Sequence, residues 1–554
     1  MRRQAGGNWI ADLPSARVGQ QYRYLITTNG REYSRRDPYG RLCTSSDYAD
    51  GNTIIYDPKT YDWQGDNFSN PPVEDLVIYE MHVGTFNDSN PNGCATLADA
   101  VARLDHVVDL GANAVEVLPV NESLGVCITG YGPADLFAVD NIAYGGPDEF
   151  KDFVKACHDR GLAVLLDVVY NHWGPWDLHL SQFDGWSDAT YTAGIYFYDT
   201  TRLNSPFGPR PNYDKPQVRQ FIFNNLRMWI EEYHVDGFRW DSTLNIDNTN
   251  SGQGAPIPAG KTLMQQANSV MHRLYPGKIS IAEDLRNDAR LTLPLAQGGY
   301  EFDSQWHYFA APVRSALTKN VDANRNMNSV ADALTAIYNA DPFQRVIYSE
   351  SHNEICCGNQ RLTVEIDRTN PNSWTARKRS TIGAALAFTA AGIPMIYQGQ
   401  EFLDQQPFDQ KKPIDWNQLN RYPGVYALYR DLVALRRNAL GHTAGLRGAG
   451  TVVHHVNNTA KVIAYHRFDV GGPGDDCVIV ANFSGAEISS YALGFPQPGD
   501  WITRLNSDDP KYGPDYSGAG SVSISADGAP RDGMAQSGLV TIAPYSVLIL
   551  SQDQ

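Results

Sequence analysis

The sequence predicts an α/β chain built on a (β/α)8 TIM barrel, with an N-terminal β-sandwich module and a C-terminal β-sandwich domain. Three observations predict it. Eight short apolar runs alternate with segments of helical spacing through the middle of the chain, and continuous apolar strands set between helices form parallel sheets covered on both faces. No Gly-rich phosphate turn of the GxGxxG type follows the first run, which sets the barrel above an open doubly wound sheet. Polar residues able to do chemistry gather at the C-terminal ends of the runs, where a barrel builds its active site.

The elements follow in order. Residues 1–72 contain QQYRYLITTNGREYSRRDPYG, which alternates in polarity around an NG turn and reads as a β-hairpin. About 70 residues is small for a β-sandwich, and the expectation is that its first strands are missing from this chain. The Pro pair of NPPVEDL marks the boundary at residue 72. The barrel is expected over 73–444. Its strands are LVIYEMHV (76–83), AVEVLPV (114–120), AVLLDVVYNH (163–172), DGFRWDS (236–242), ISIAEDL (279–285), YEFDSQW (300–306), RVIYSES (345–351) and IPMIYQG (393–399). Helical spacing is read over 95–111, ending on a Gly stop, and over 147–162, 217–235, 378–392 and 425–438. The stretch at about 173–214 is rich in Trp, Gly, Pro and Tyr and reads as an insert after the third strand. SESHNE (349–354) reads as a strand end opening into a polar loop. From 445 to 554 strand patterns return in VIAYHRFD, CVIVANFS and YSVLILS, as a C-terminal β-sandwich requires.

Composition narrows the function. The net charge is −17, and such a surface repels phosphate backbones and anionic lipid, so neither nucleic acid nor a membrane is expected as partner. Neutral substrates remain, and 30 Tyr, 11 Trp and 20 Phe supply flat faces that suit sugar stacking. The seven cysteines are scattered, odd in number and without a CxxC pair. That spacing speaks against a disulfide framework and a structural zinc site, and for a reducing, cytoplasmic setting. No apolar run of about 18 residues suggests a membrane span.

The strand ends carry the chemistry. The third strand brings Asp167, Asn171 and His172. The fourth brings Arg239 and Asp241, two apart and so on one face. The fifth ends in Glu283 and Asp284, and the seventh in His352, Asn353 and Glu354. A lone strand-end Asp usually caps the next helix, but four polar strand ends converging on one rim point to a site. Glycoside cleavage fits: a retaining enzyme needs two carboxyl groups about 5–5.5 Å apart, one attacking the anomeric carbon and one protonating the leaving oxygen. An Arg beside the nucleophile keeps it ionised, whereas the acid needs its pKa raised by burial or a neighbouring carboxylate.

With DVVYNH (167–172), GFRWD (237–241), IAED (281–284) and SHNE (351–354) in order at these strand ends, and GYGPADLFAVDNIAYGG (130–146) after the second strand, the chain resembles the α-amylase family of glycoside hydrolases and transglycosylases. The resemblance spans about residues 75–440 and implies that Asp241 is the nucleophile, Glu283 the general acid and base, and Arg239 the partner that orients Asp241. It implies that His172 and His352 hold sugar hydroxyls, that Tyr131 stacks under the sugar, and that Asp167 supports Arg239. The family's third acid falls on Asn353. Asp to Asn keeps the shape and removes the charge, so an inactivated chain is expected, by deliberate substitution; the alternative is a natural Asn with Glu354 or Glu350 sharing the role. No cofactor is expected. Calcium is the one metal the family pattern raises, through Asn171, but its usual second ligand, a His, is replaced by Asn245.

YEMHVGTF (79–86) is similar to branching and debranching enzymes and trehalohydrolases, 286–307 to trehalohydrolases, and SESH to branching enzymes. The implied substrate is an α-1,4-glucan or maltooligosaccharide, cleaved by hydrolysis or transferred as an α-1,6 branch. The alternatives are a maltooligosyl-trehalose trehalohydrolase and a non-catalytic glucan-binding protein.

Overall fold

The computed structural model describes residues 1–4, 8–45, 51–88, 94–123, 129–174, 180–409 and 412–554. The eight predicted strands close into a parallel barrel: β1 (Ile78–Met81), β2 (Ala114–Val117), β3 (Ala163–Val168), β4 (Gly237–Trp240), β5 (Ile279–Ala282), β6 (Ser304–Trp306), β7 (Arg345–Ile347) and β8 (Ile393–Tyr397). The barrel closes where β8 pairs with β1, Tyr397 against Glu80. Ile78, Ala114, Leu165, Ile281, Trp306 and Val346 fill the lumen, while the alternate residues Val115, Val164, Leu166 and Phe238 face the outer helices. Burial on both faces is why the strands read as unbroken apolar runs.

The helices that matter here are α1 (Gly146–His158), α2 (Pro216–Glu231), α3 (Pro258–Leu274), the short α4 (His352–Ile355), α5 (Trp374–Thr389) and α6 (Pro423–Arg436). Pro at the first turn starts α1, α2, α3 and α6, where a missing N–H costs nothing. The single helix expected over 95–111 is instead two, Leu97–Val101 and Leu104–Leu110. The first carries a capping box between Thr96 and Asp99. The second stops on Gly111 in the left-handed region (φ 92°), as expected.

SESHNE also differs from expectation. The loop predicted after β7 is helical from His352: the Ser351 side chain accepts the Asn353 N–H as N-cap, and its hydroxyl bonds the Glu354 carboxylate.

The N-terminal segment does not form the expected sandwich among the described residues. It makes three separate two-stranded ladders, Arg2–Arg3 with Trp9–Ile10, Gln21–Tyr22 with Thr53–Ile54, and Tyr24–Thr28 with Arg31–Arg35. The hairpin predicted around NG is the last of these. Two strands alone cannot bury two faces, and the segment lies against the barrel instead. Arg41 pairs with Glu232, Tyr56 donates to Asp148 and Tyr61 to Asp152, both at 2.6 Å, and Asp66 bridges His158 and His234.

After α6 the chain builds β9 (Gly450–Asn457), β10 (Val462–Phe468), β11 (Cys477–Asn482), β12 (Ile488–Phe495), β13 (Gly499–Asn506), β14 (Ser523–Ala526), β15 (Gln536–Ile542) and β16 (Ser546–Ser551). Six form one sheet, in the order β9-β10-β11-β16-β13-β14, and β12 pairs with β15. Val462, Ala464, Val480 and Leu548 face that pair. Ile463, Tyr465, Ile479 and Ile549 share one continuous core with the barrel helices. The expected C-terminal β-sandwich is thus present, and its second face is the floor for α5.

The cysteines correct one expectation. Cys94 is disulfide-bonded, while Cys43, Cys157, Cys356, Cys357 and Cys477 are free. Sequence spacing could not show this, because pairing depends on which loops meet in space. No helix among the described residues is long and apolar enough to cross a membrane.

Candidate active site

All eight predicted site residues lie at the C-terminal rim of the barrel or in the loops that leave it. Parallel pairing sets Asp167 beside Arg239, and Trp240 beside Ala282, so Asp241 and Glu283 leave adjacent strands one residue later. Arg239 is fully buried and is the hub. Its Nη1 donates to Asp167 at 2.8 and 3.0 Å and to Asp241 Oδ1 at 2.8 Å, and its Nη2 lies 3.7 Å from Glu283 Oε2. Its guanidinium sits 4.6 Å from the centre of the Trp306 ring. One cation therefore faces three carboxylates.

The carboxylates differ in their surroundings. Asp241 is the most open, and Asn171 Nδ2 donates to its Oδ2 at 2.6 Å and to its backbone oxygen at 3.0 Å. Glu283 is buried; burial first, then the Asp241 charge, push it up to about 7 against the pull of Arg239. The chain enters the left-handed region at Ser242 (φ 45°) directly after Asp241, and this turn aims the Ser242 N–H at Glu283 Oε2, 2.7 Å away. A non-glycine in that region is costly; here it furnishes a fixed donor to one oxygen of Glu283. Asp167 is raised to about 6, chiefly by burial, and accepts the Tyr131 hydroxyl at 2.5 Å.

Tyr131, His172 and His352 close the wall. Tyr131 and His352 stack with ring centres 5.2 Å apart, and His352 Nε2 lies 2.9 Å from the Tyr131 hydroxyl. His172 faces oxygens on both sides, Asn171 Oδ1 and the Tyr131 carbonyl, each at 2.6 Å. Burial holds its pKa down, so the neutral ring has one N–H and donates to one of the two. A sugar hydroxyl can reach His172 only in exchange for one of these bonds.

Asn353, at the position of the implied third acid, sits with its Nδ2 3.5 Å from Glu283 Oε1. The nearby carboxylates do not replace it. Glu354 is turned back to Ser351. Glu350 is held by the Leu362 N–H at 2.5 Å and by Arg361 at 3.2 Å. The alternative in which either one shares the role therefore finds no support in the geometry.

Two residues of the site were missed from the sequence. Glu80 lies inside β1, accepts the His352 N–H at 3.1 Å and pairs with its Nδ1. Glu116 lies beside it in register on β2; burial, then Glu80, push it well above the ordinary carboxylate range. The signal was available: a Glu inside LVIYEMHV and another inside AVEVLPV are charges within buried apolar strands, which occur only where something pairs with them or they are neutral. Asn245, raised in connection with calcium, spends its side chain on Ser242 Oγ at 2.8 Å and the Ser251 N–H at 3.1 Å. Asn171 is likewise engaged by Asp241 and His172. Among the described residues no cluster of three or more His, Cys, Asp or Glu is arranged to hold a metal ion.

The profile of the alpha amylase catalytic domain matches residues 81–182 and 186–431, and that of the alpha amylase C-terminal all-beta domain matches 452–553. The chain belongs to the α-amylase family. It is an enzyme of that family by descent. A malto-oligosyltrehalose trehalohydrolase of Saccharolobus solfataricus is 30% identical over 441 residues, covering 74% of this chain and 70% of its own length. A 1,4-alpha-glucan branching enzyme of Aliivibrio fischeri is 28% identical and covers 99% of this chain and 78% of its own. Among solved structures, a Salmonella typhimurium protein described as an alpha amylase superposes with a TM-score of 0.75 at 21% identity, over 99% of this chain and 94% of that one. At that identity the superposition speaks for the α-amylase fold alone.

Proposed function

We propose that this α-amylase-family chain cleaves α-1,4-glucosidic bonds of an α-glucan or maltooligosaccharide with retention, through a covalent glycosyl-enzyme. The carrying observation is the split between two adjacent carboxyl groups: Asp241 is held by the Arg239 cation and the Asn171 amide, while Glu283 is raised to about 7. A raised carboxyl beside a carboxylate held by a cation supports Glu283 as acid and Asp241 as nucleophile. Asp241 attacks the anomeric carbon. Glu283, protonated, gives its proton to the leaving oxygen and then, as carboxylate, takes one from the acceptor. Arg239 orients Asp241, Asp167 fixes Arg239, and Tyr131 with His352 forms the wall against the sugar, with His172 beside it.

Asn353 makes this chain an attenuated enzyme. A neutral amide cannot stabilise positive charge developing on the sugar, and the loss of such a group commonly costs about 10²–10³-fold in rate. Binding of a neutral sugar survives, and for that reason a glucan-binding role without turnover is the companion reading, which the Asn353 amide favours. The acceptor separates hydrolysis from branching. Amylose incubated with the chain and with Asn353→Asp, followed by iodine staining and reducing-end assay, decides it: a colour change without new reducing ends indicates α-1,6 transfer, and reducing ends rising with colour loss indicate hydrolysis. Absence of any turnover by Asn353→Asp sinks the catalytic reading. A third reading, release of trehalose from a maltooligosyl-trehalose, is favoured by the 30% identity to the Saccharolobus protein and is tested by assaying free trehalose on that substrate.

A further inference from the structure

Directly after α4 the chain carries two adjacent free cysteines. Cys356 caps the C-terminus of α4 and is partly buried, and Cys357 is exposed. Their sulfurs lie 2.9 Å apart. The backbone bends sharply here, with Cys357 at φ 58° and Gly358 at φ 97°, so the two thiols meet rather than alternate. The Cys356 thiol also donates to the Asn353 carbonyl at 3.5 Å, one of the carbonyls that the end of a helix leaves without an intrahelical partner. The same short helix holds His352 and Asn353 against Tyr131 and Glu283. Nothing in the proposed glucan chemistry uses either thiol.

We propose that Cys356 and Cys357 form a redox-modification site: a vicinal dithiol that a small disulfide such as oxidised glutathione converts to an adjacent-residue disulfide, loosening the turn that carries His352 and Asn353. The effect on sugar binding rests on the glucan reading above; the modification itself does not. The exposed Cys357 is the entry point, because exchange needs an accessible thiolate. Its thiolate attacks one sulfur of oxidised glutathione, forming a mixed disulfide and releasing one glutathione, which takes up the proton. The Cys356 thiolate then attacks the Cys357 sulfur and displaces the second glutathione. Two thiol hydrogens leave the protein, which is oxidised by two electrons as the glutathione disulfide is reduced. A disulfide bond is about 2.05 Å long, so closure needs only a small further approach. Burial and the neighbouring thiol raise Cys356 to about 12, which leaves the exposed Cys357 as the first to react; the part of that rise owed to the Cys357 thiol is gone once Cys357 is in the mixed disulfide. An adjacent-residue bridge departs from relaxed disulfide geometry and is therefore readily reduced again, as a reversible switch requires. Closure takes the Cys356 hydrogen away from the Asn353 carbonyl.

The full chain is incubated in glutathione buffers of graded oxidised-to-reduced ratio and digested without reduction, so that the bridge at Cys94 is mapped separately. The expected result is a peptide holding both cysteines that has lost two hydrogens, reversed by reduced glutathione, and absent from Cys357→Ser. Full double alkylation of this peptide in oxidised glutathione, or two separate glutathione adducts, overturns the proposal. In parallel, maltotetraose affinity by calorimetry is expected to fall about two- to fivefold on oxidation, the worth of one modest hydrogen bond, with no change in the Cys356→Ser/Cys357→Ser double variant. Equal affinity of the reduced and bridged forms overturns the link to the turn. Failure of the reduced chain to bind maltotetraose overturns the glucan reading instead, and the peptide map still decides the thiols.

Discussion

At the scale of single residues, the site is an arrangement of carboxylates around one buried arginine, and its pH behaviour follows from Glu283. Its pKa, raised to about 7, means the acid carries its proton below that pH and loses it above. The falling limb of activity on amylose should therefore lie at about pH 7 in the chain as it stands and above that in Asn353→Asp, and it is removed in the Glu283→Gln background because turnover itself is lost. In the chain as it stands the same limb should lie lower than in Asn353→Asp, since a second carboxylate within reach of Glu283 Oε1 raises a neighbouring acid. Rates measured across pH for the two proteins check both the order of the limbs and the expected gain of about 10²–10³-fold on restoring the acid. An unchanged limb would show that position 353 does not feel Glu283. Glu80→Gln tests the residue that sequence reading passed over. It keeps the shape but removes the charge that holds His352, so maltotetraose affinity should fall severalfold.

At the scale of elements, the turn that opens α4 is the weak point. Four residues of helix cannot sustain themselves, and α4 depends on Ser351 as N-cap and on the Glu354 carboxylate returned to that serine. Ser351→Ala should cost about 1 kcal/mol, read by chemical denaturation, and should weaken maltooligosaccharide binding along with it, because His352 is the first residue of the helix. Gly111 shows the opposite kind of constraint. It ends its helix at φ 92°, and a Cβ there would stand 2.8 Å from Val433 Cγ1 of α6. Gly111→Ala should lower stability by at least about 1–2 kcal/mol from the backbone alone, with no change in the sugar site. Helix periodicity placed Gly111 correctly as a stop, yet it could not foresee the break at Ala102–Arg103. The apolar spacing continues across that break, so it carries no periodic signal.

At the scale of the whole molecule, the barrel helices and the C-terminal domain share one hydrophobic core. The α5 segment carries Arg377, Lys378 and Arg379, three consecutive cations that all lie buried. Lys378 pairs with Asp508 of the C-terminal domain, Arg377 with Asp515 at 3.0 Å, and Lys461 reaches back to the Arg325 carbonyl at 2.7 Å. Truncating one member of a buried pair leaves the other charge uncompensated, at a cost of about 3–5 kcal/mol. Asp508→Ala should therefore lower the melting temperature of both domains together, in one calorimetric transition. Two separate transitions would show that the shared core does not couple them.

The sequence by itself determined the eight strands, the rim residues on them and the family, because buried parallel strands and strand-end polar residues leave local periodic signals. It also placed Asn353 where an acid was expected. The tertiary structure alone decided what each polar group faces. Lys378 opens a segment read only as helical, and the structure buries it against Asp508 of the C-terminal domain. Glu80 reads as an interruption in an apolar strand but orients His352. Glu354 sits next to Asn353 in sequence but turns back to the Ser351 hydroxyl. The N-terminal ladders and the bridge at Cys94 belong to the same class. Periodicity is a property of neighbours along the chain, whereas partners, burial and the pKa shifts they cause depend on distances between segments hundreds of residues apart.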